Sequence, residues 1–191
     1  MIEESLRFIK TEMNKYLNFK IAPSAEERVV LGNIAKAGEP TSSDLINKIV
    51  ISLVNIEEDK ISRNPENYIR VDQKTIYKNR SIHLNLYCLF SVNRELYTDA
   101  LKQLSLVIQF FQHKNVFTPQ NSPNIDPGIE KIIFDLNTIN FEQVNHLWAT
   151  LGGKYIPSVM YKVRLVSIDE GYAEAEGQLI RELQIKTEGK N

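Results

Sequence analysis

At 191 residues and 42% hydrophobic, the chain is long enough to bury one ordinary core without staples, and its formal net charge of -1 gives no global pull toward nucleic acid or anionic lipid. Cys88 is the only cysteine, which excludes an intrachain disulfide and a cysteine-based zinc site. No segment has the basic, apolar, small-residue order of a signal peptide and no apolar run approaches the roughly 20 residues of a membrane span, so the expected location is the cytoplasm.

The first element is a helix over residues 2 to 18, where Ile2, Leu6, Ile9, Met13 and Leu17 recur at spacings of three and four. A polar connection with Pro23 leads to Val29, Val30 and Leu31, a short apolar patch of strand character. After the loop AKAGEPTSSD comes the run from Lys48 to Ile56, apolar on both sides as in a strand covered on both faces. Residues 57 to 80 lack periodicity and carry Asn64-Pro65 and Asn79 as breakers, which predicts a loop or a strand hairpin. A long strand follows at Ser81 to Val92, with Leu84, Leu86, Cys88 and Phe90 opposed to His83, Asn85, Tyr87 and Leu89. In the apolar run HLNLYCLF, Cys88 reads as a small buried hydrophobe. Leu96, Ala100, Leu101, Leu104, Val107, Ile108 and Phe111 then form a wide stripe, predicting the longest helix, laid across the sheet. FTPQNSPNIDPG reads as loop, and Lys131 to Ile139 as a strand.

Asn140 and Gln143 have the spacing of a capping box, and Phe141, Val144, Leu147, Trp148 and Leu151 fall on one helical face behind it. Trp148 is therefore expected to anchor a core. Gly152 and Gly153 accept positive φ and close this helix, Pro157 prevents its resumption, and from Ser158 the period switches to two. In the last twenty residues, Leu179, Ile180, Leu183 and Ile185 suit an edge strand or a short helix. The expected organisation is a domain over residues 1–170 and a short tail over 171–191. Its fold class is α+β, a single mixed sheet of about four or five strands with helices packed on a face.

Nothing in the sequence assembles into catalysis. His83, His113 and His146 have no partner at ligand spacing; His113 suits a helix C-terminus and His146 is placed to pack under the helix of Trp148. Glu57, Glu58 and Asp59 lack the alternating ligands of a calcium loop. Gly152-Gly153 follows a helix where a phosphate loop would open one, and Ser43, Ser52 and Ser158 lack a nucleophile elbow. The expectation is no enzyme, no cofactor and no metal. What remains unusual is Lys154, Tyr155 and Pro157, either a rigid connector or a contact surface, since tyrosine supplies large rigid area at low entropic cost. Lys162 and Arg164 on the last strand are likewise ordinary solvated surface or an electrostatic patch.

Five blocks taken together, LGNIA, IVISLVNIEED, HLNLYCLF, LSLVIQFFQHKNVFT and the stretch from Asn140 to Asp169, resemble the N-terminal domain of the cap proteins of extracellular contractile injection systems. These are phage-tail-like particles of the antifeeding-prophage and virulence-cassette type. The resemblance covers roughly residues 2 to 169. It implies a terminator-like fold and a hexameric ring that ends the inner tube and anchors the last sheath layer, incorporated into the particle after synthesis in the cytoplasm. The implied partners are the chain itself, the tube protein and the sheath protein, with no nucleic acid and no membrane. Longer members carry a substantial extension after this domain. A reading from another class is a small-molecule or peptide-binding domain with its pocket between the long helix and the sheet.

Overall fold

The computed structural model describes residues 1–40, 42–59, 68–71, 74–77, 83–167 and 176–177. Its centre is a six-stranded mixed sheet in the order β1-β2-β5-β8-β7-β6, made of β1 (Val29–Leu31), β2 (Lys48–Glu58), β5 (His83–Asn93), β6 (Val116–Phe117), β7 (Ile129–Leu136) and β8 (Ser158–Ser167). β1 runs parallel to β2, and every other pairing is antiparallel. A second sheet has the order β3-β4-β9, from the hairpin β3 (Tyr68–Val71) and β4 (Lys74–Tyr77) with β9 (Glu176–Gly177). The hairpin alternative for residues 57 to 80 is therefore the one adopted. The suggested element at Leu179 to Ile185 lies outside the described residues.

Three α-helices are present among the described residues: α1 (Ile2–Lys20), α2 (Tyr97–His113) and α3 (Phe141–Thr150). α1 and α2 cover one face of the main sheet. Strand alternation aims Ile49, Ile51, Leu86, Cys88, Phe90, Tyr161, Val163 and Leu165 at them. The alternate residues Val50, Leu89 and Met160 point the other way and pack with Trp148 of α3 and with Ile34 and Leu45, which sit in 3-10 turns at Ile34–Lys36 and Ser43–Leu45. The parallel β1–β2 step needs a crossover, and these two turns supply it.

Four expectations are corrected. The main sheet has six strands: the apolar patch Val29–Leu31 is a strand as its character suggests, and the two-residue β6 adds a short edge that periodicity cannot resolve. Helices cover both faces, where one was expected. α1, at 19 residues, is longer than α2 at 17. Phe117, placed in a loop by the prolines that follow it, is a fully buried strand residue.

The face under α2 is filled by aromatic rings. Phe111 stands 4.4 Å from both Phe134 and Tyr161 and 5.2 Å from Phe90, centroid to centroid. Tyr161 is buried there, and burial pushes its pKa up to about 12. The space between the long helix and the sheet is thus occupied by side chains, and the binding pocket of the alternative reading is not found there. Cys88 is buried in the same layer with its pKa pushed up to about 12 by burial, which suits the inert hydrophobe expected of it.

α1 is fastened to β1 by Asn14. Its Oδ1 accepts from the backbone N–H of Arg28 at 2.8 Å and of Val29 at 3.0 Å, while its Nδ2 donates to the Val29 carbonyl at 2.9 Å. Asn14→Ala removes all three bonds at the edge of the sheet. The expected loss is about 1–3 kcal/mol, the cost of leaving backbone groups unsatisfied, measured by urea unfolding; unchanged stability would mean that water replaces the side chain at no cost.

Candidate interaction surface

The register places the start of β2, the end of β5, the start of β8 and the end of β7 at one end of the main sheet, through the pairs Lys48↔Asn93, Ser91↔Ser158 and Leu136↔Tyr161. At the opposite end Asp59 donates its backbone N–H to the His83 carbonyl at 2.8 Å, and Ile129 pairs with Ser167. β2 and β8 end and β5 begins there. The two ends of the subunit are therefore built differently.

The first end is organised by α3. Asn140 and Gln143 form the predicted capping box, with Asn140 Oδ1 accepting from the Gln143 N–H at 2.8 Å and Gln143 Oε1 accepting from the Asn140 N–H at 2.9 Å. Gly152 and Gly153 take φ of 100° and 77°, and the Gly153 N–H reaches the Trp148 carbonyl at 2.7 Å, the long-range bond of a Schellman closure. The chain then turns through Lys154 and Tyr155, and the Pro157 carbonyl accepts from the Val92 N–H at 2.9 Å, setting β8 in place. Tyr155 is 63% exposed, but its ring meets the buried Trp148 edge-on at 5.7 Å. One side of Tyr155 is thus fixed and the other faces solvent.

Two depressions flank Tyr155. A cleft of about 660 Å³ lies between the turn at Ile34–Lys36, the end of β5 and the segment Leu151 to Ile156, with Lys154 on its wall. An apolar groove of about 570 Å³ runs between α3 and β8, walled by Trp148, Tyr155, Val144, Leu136 and Met160. Phe141 stands on its rim, 95% exposed, where the helical stripe predicted a core position. Along the stripe Val144 and Leu147 are half-buried and Trp148 alone is buried. Ile46, Leu96 and Tyr97 are also exposed at this end, the last two 64% and 61%. Periodicity could not find this apolar surface, because its residues come from separate segments of the chain and meet only through the strand register.

The predicted residues separate into two groups. Lys154, Tyr155 and Pro157 share the end of the sheet with Trp148, Gly152 and Gly153. Lys162 and Arg164 lie farther along β8, on the same face as Met160. Arg164 is already paired, its Nη2 2.8 Å from Asp135 Oδ2, and Lys162 stands in register with Asp135 and Tyr87. That pairing draws charge away from any patch at Arg164. His146, a residue of α3, is exposed where a packed structural histidine beside Trp148 was expected, and His113 ends α2. Glu57 accepts from the Tyr87 hydroxyl at 2.9 Å, which raises the Tyr87 pKa. No group of three or more metal-ligating side chains occurs among the described residues.

Residues 6–182 match the model of the Pvc16 N-terminal domain. The chain belongs to that family. Among solved structures, this Pvc16 N-terminal domain resembles a sheath/tube terminator of the PVC extracellular contractile injection system in its extended state, with a TM-score of 0.61 at 13% identity over 100% of this chain and 64% of that one. It also resembles the tube-terminating cap of the anti-feeding prophage, with a TM-score of 0.57 at 16% identity over 94% of this chain and 60% of that one. The chain therefore spans about three-fifths of the length of these two proteins, and at such identities the likeness is one of fold. No curated protein matches the chain.

Trp148 is 5% exposed between α3 and the sheet, so Trp148→Ala should cost about 3–5 kcal/mol, read as a fall in thermal melting temperature. Gly153→Val places a β-branched side chain at a φ of 77°, where strain is the obstacle because no atom lies within 4 Å of an added Cβ. The expected cost is about 1–3 kcal/mol. Gly128, whose φ is not positive, should lose less on the same change. Equal melting of the two glycine variants would contradict the role given to the left-handed closure.

Proposed function

We propose that this domain is a structural cap subunit: a ring, hexameric by family resemblance, that ends the inner tube of a phage-tail-like contractile particle and anchors the distal sheath. The observation that carries this reading is the fold likeness to two tube-terminating proteins over nearly the whole chain. The unlike ends of the subunit suit the task. A tube grows by open head-to-tail addition, and a ring stops it only if one of its surfaces accepts the last tube layer while the other cannot propagate the lattice. The end bearing Tyr155, Leu96 and Tyr97 is the contact face we assign to a neighbouring subunit, with Lys154 and Pro157 beside it and Lys162 and Arg164 as peripheral contacts. Residues 1–170 form the cap unit in this reading and 171–191 a short tail. The role is not enzymatic and uses no cofactor. Assembly takes place in the cytoplasm and involves neither nucleic acid nor membrane.

Deleting the gene from a producing cell tests the proposal directly. Tube and sheath proteins should stay folded, while electron microscopy should show particles that are fewer or irregular in length. Normal numbers of particles with normal length and intact sheaths would overturn the assignment. Within the subunit, Tyr155→Ala removes an exposed ring whose packing on Trp148 is worth roughly 0.5–1.5 kcal/mol. The variant should remain folded by thermal melting and yet enter particles poorly, measured as cap content in purified particles; wild-type incorporation would return Tyr155 to the role of a rigid connector.

A further inference from the structure

A polar cavity of about 630 Å³ lies on the β1 side of the same end of the sheet, between the segment before β1, the start of β2 and the residue that follows β5. Its walls bring together Arg28, Lys48 and Arg94 with Ser24, Ser43 and Asn47, and with two carboxylate residues, Glu26 and Glu27. Both arginines are held by neutral acceptors. The Arg28 guanidinium donates to Asn18 Oδ1 at 2.8 Å and to the Ala22 carbonyl at 2.9 Å, and Arg94 Nε donates to Gln103 Oε1 at 3.1 Å. These bonds fix the orientation of the guanidiniums without neutralising them.

Both carboxylates on the wall are engaged with lysines, so the two arginines are left as the cations without a carboxylate hydrogen bond. Glu27 accepts from Lys10 at 2.8 Å and Glu26 from Lys48 at 3.4 Å, the latter through a carboxylate that is 86% exposed. Asp99, whose charge favours that of Arg94, accepts from Lys102 at 3.2 Å. Burial and then repulsion from Arg28 lower the pKa of Arg94, so the two cations act on each other across the cavity. Asn47, on the wall, has a φ of 58° and is the one non-glycine residue with positive φ among the described residues. Asparagine enters this region more readily than other side chains, and its Oδ1 accepts from the Glu95 N–H at 3.4 Å. Two mutually repelling guanidiniums fixed around a polar void, flanked by hydroxyls, form a constellation that an anion would complete.

We propose that this cavity binds an oxyanion of the carboxylate or phosphate class, held between Arg28 and Arg94 with Lys48 and the hydroxyls of Ser24 and Ser43 around it. Guanidinium forks match the paired oxygens of either group. A carboxylate presented by another subunit and a free phosphate share this chemistry.

The test uses the whole chain and inorganic phosphate. For a dissociation constant of about 1 mM, about 20 mM phosphate should raise the melting temperature by roughly 4–7 °C over chloride at equal ionic strength. Arg94→Gln should lose most of that shift while keeping its melting temperature in chloride. Arg28→Gln gives a second reading, since Arg28 also braces the turn after α1. No shift in the wild type, or an equal shift in both variants, would overturn the site. Particle assembly separates the sources: exclusion of Arg94→Gln from particles assigns the oxyanion to a carboxylate of another subunit, and wild-type incorporation assigns it to free phosphate. The melting measurement is independent of the cap reading, so failure of that reading would leave its result standing.

Discussion

Phe111 is the side chain on which the arrangement of this domain depends. It projects from α2 into the middle of the sheet and touches Phe90 of β5, Phe134 of β7 and Tyr161 of β8, so one ring ties the helix to three strands. β8 is the last long strand in sequence and yet lies between β5 and β7. That insertion depends on long-range contacts, because the strands it joins are separated by α2, β6 and a proline-rich loop. Offset and edge-on aromatic pairs add specificity to area burial, and here they hold the inserted strand in a single register.

With α1 and α2 committed to that face, the opposite face is left to smaller elements. Two 3-10 turns and the short α3 cover only its first half, around Val50, Leu89, Met160 and Trp148. The remainder carries Tyr87 with Glu57 and Arg164 with Asp135, polar pairs on strands that are apolar on their other side. Short covering elements leave gaps between them, and the apolar groove beside Trp148 and the cleft beside Lys154 are those gaps.

Chain direction adds a second asymmetry. Antiparallel pairing brings the loops of α3, the start of α2 and the crossover turns to one end, while β2 and β8 end and β5 begins at the other. A protein that assembles head to tail needs two unlike surfaces, and this topology provides them without any symmetry within the subunit. Tyr155, at the first of these ends, is held rigid, with its ring braced by a buried tryptophan on one side and the turn behind it closed by two left-handed glycines.

The sequence by itself determined the elements whose causes are local. The capping box of Asn140 and Gln143, the glycine closure at Gly152 and Gly153, the stripe of α1 and the switch to period two at Ser158 each depend on residues within a turn or two of one another, and all four are present. The family resemblance was also legible, because its blocks lie in order along the chain. Tertiary structure alone decided the rest. β6 is too short to carry a period, and it is a strand because β7 offers it an edge. Phe141 shares a helical face with Trp148 yet is exposed, because helical spacing fixes which side a residue is on but not where the sheet beneath it ends. The meeting of Arg28 with Arg94, 66 positions apart by number (94 minus 28), follows from the parallel pairing of β1 with β2 and the antiparallel pairing of β2 with β5. No local pattern encodes it, since each pairing is settled by burying both faces of the sheet at once.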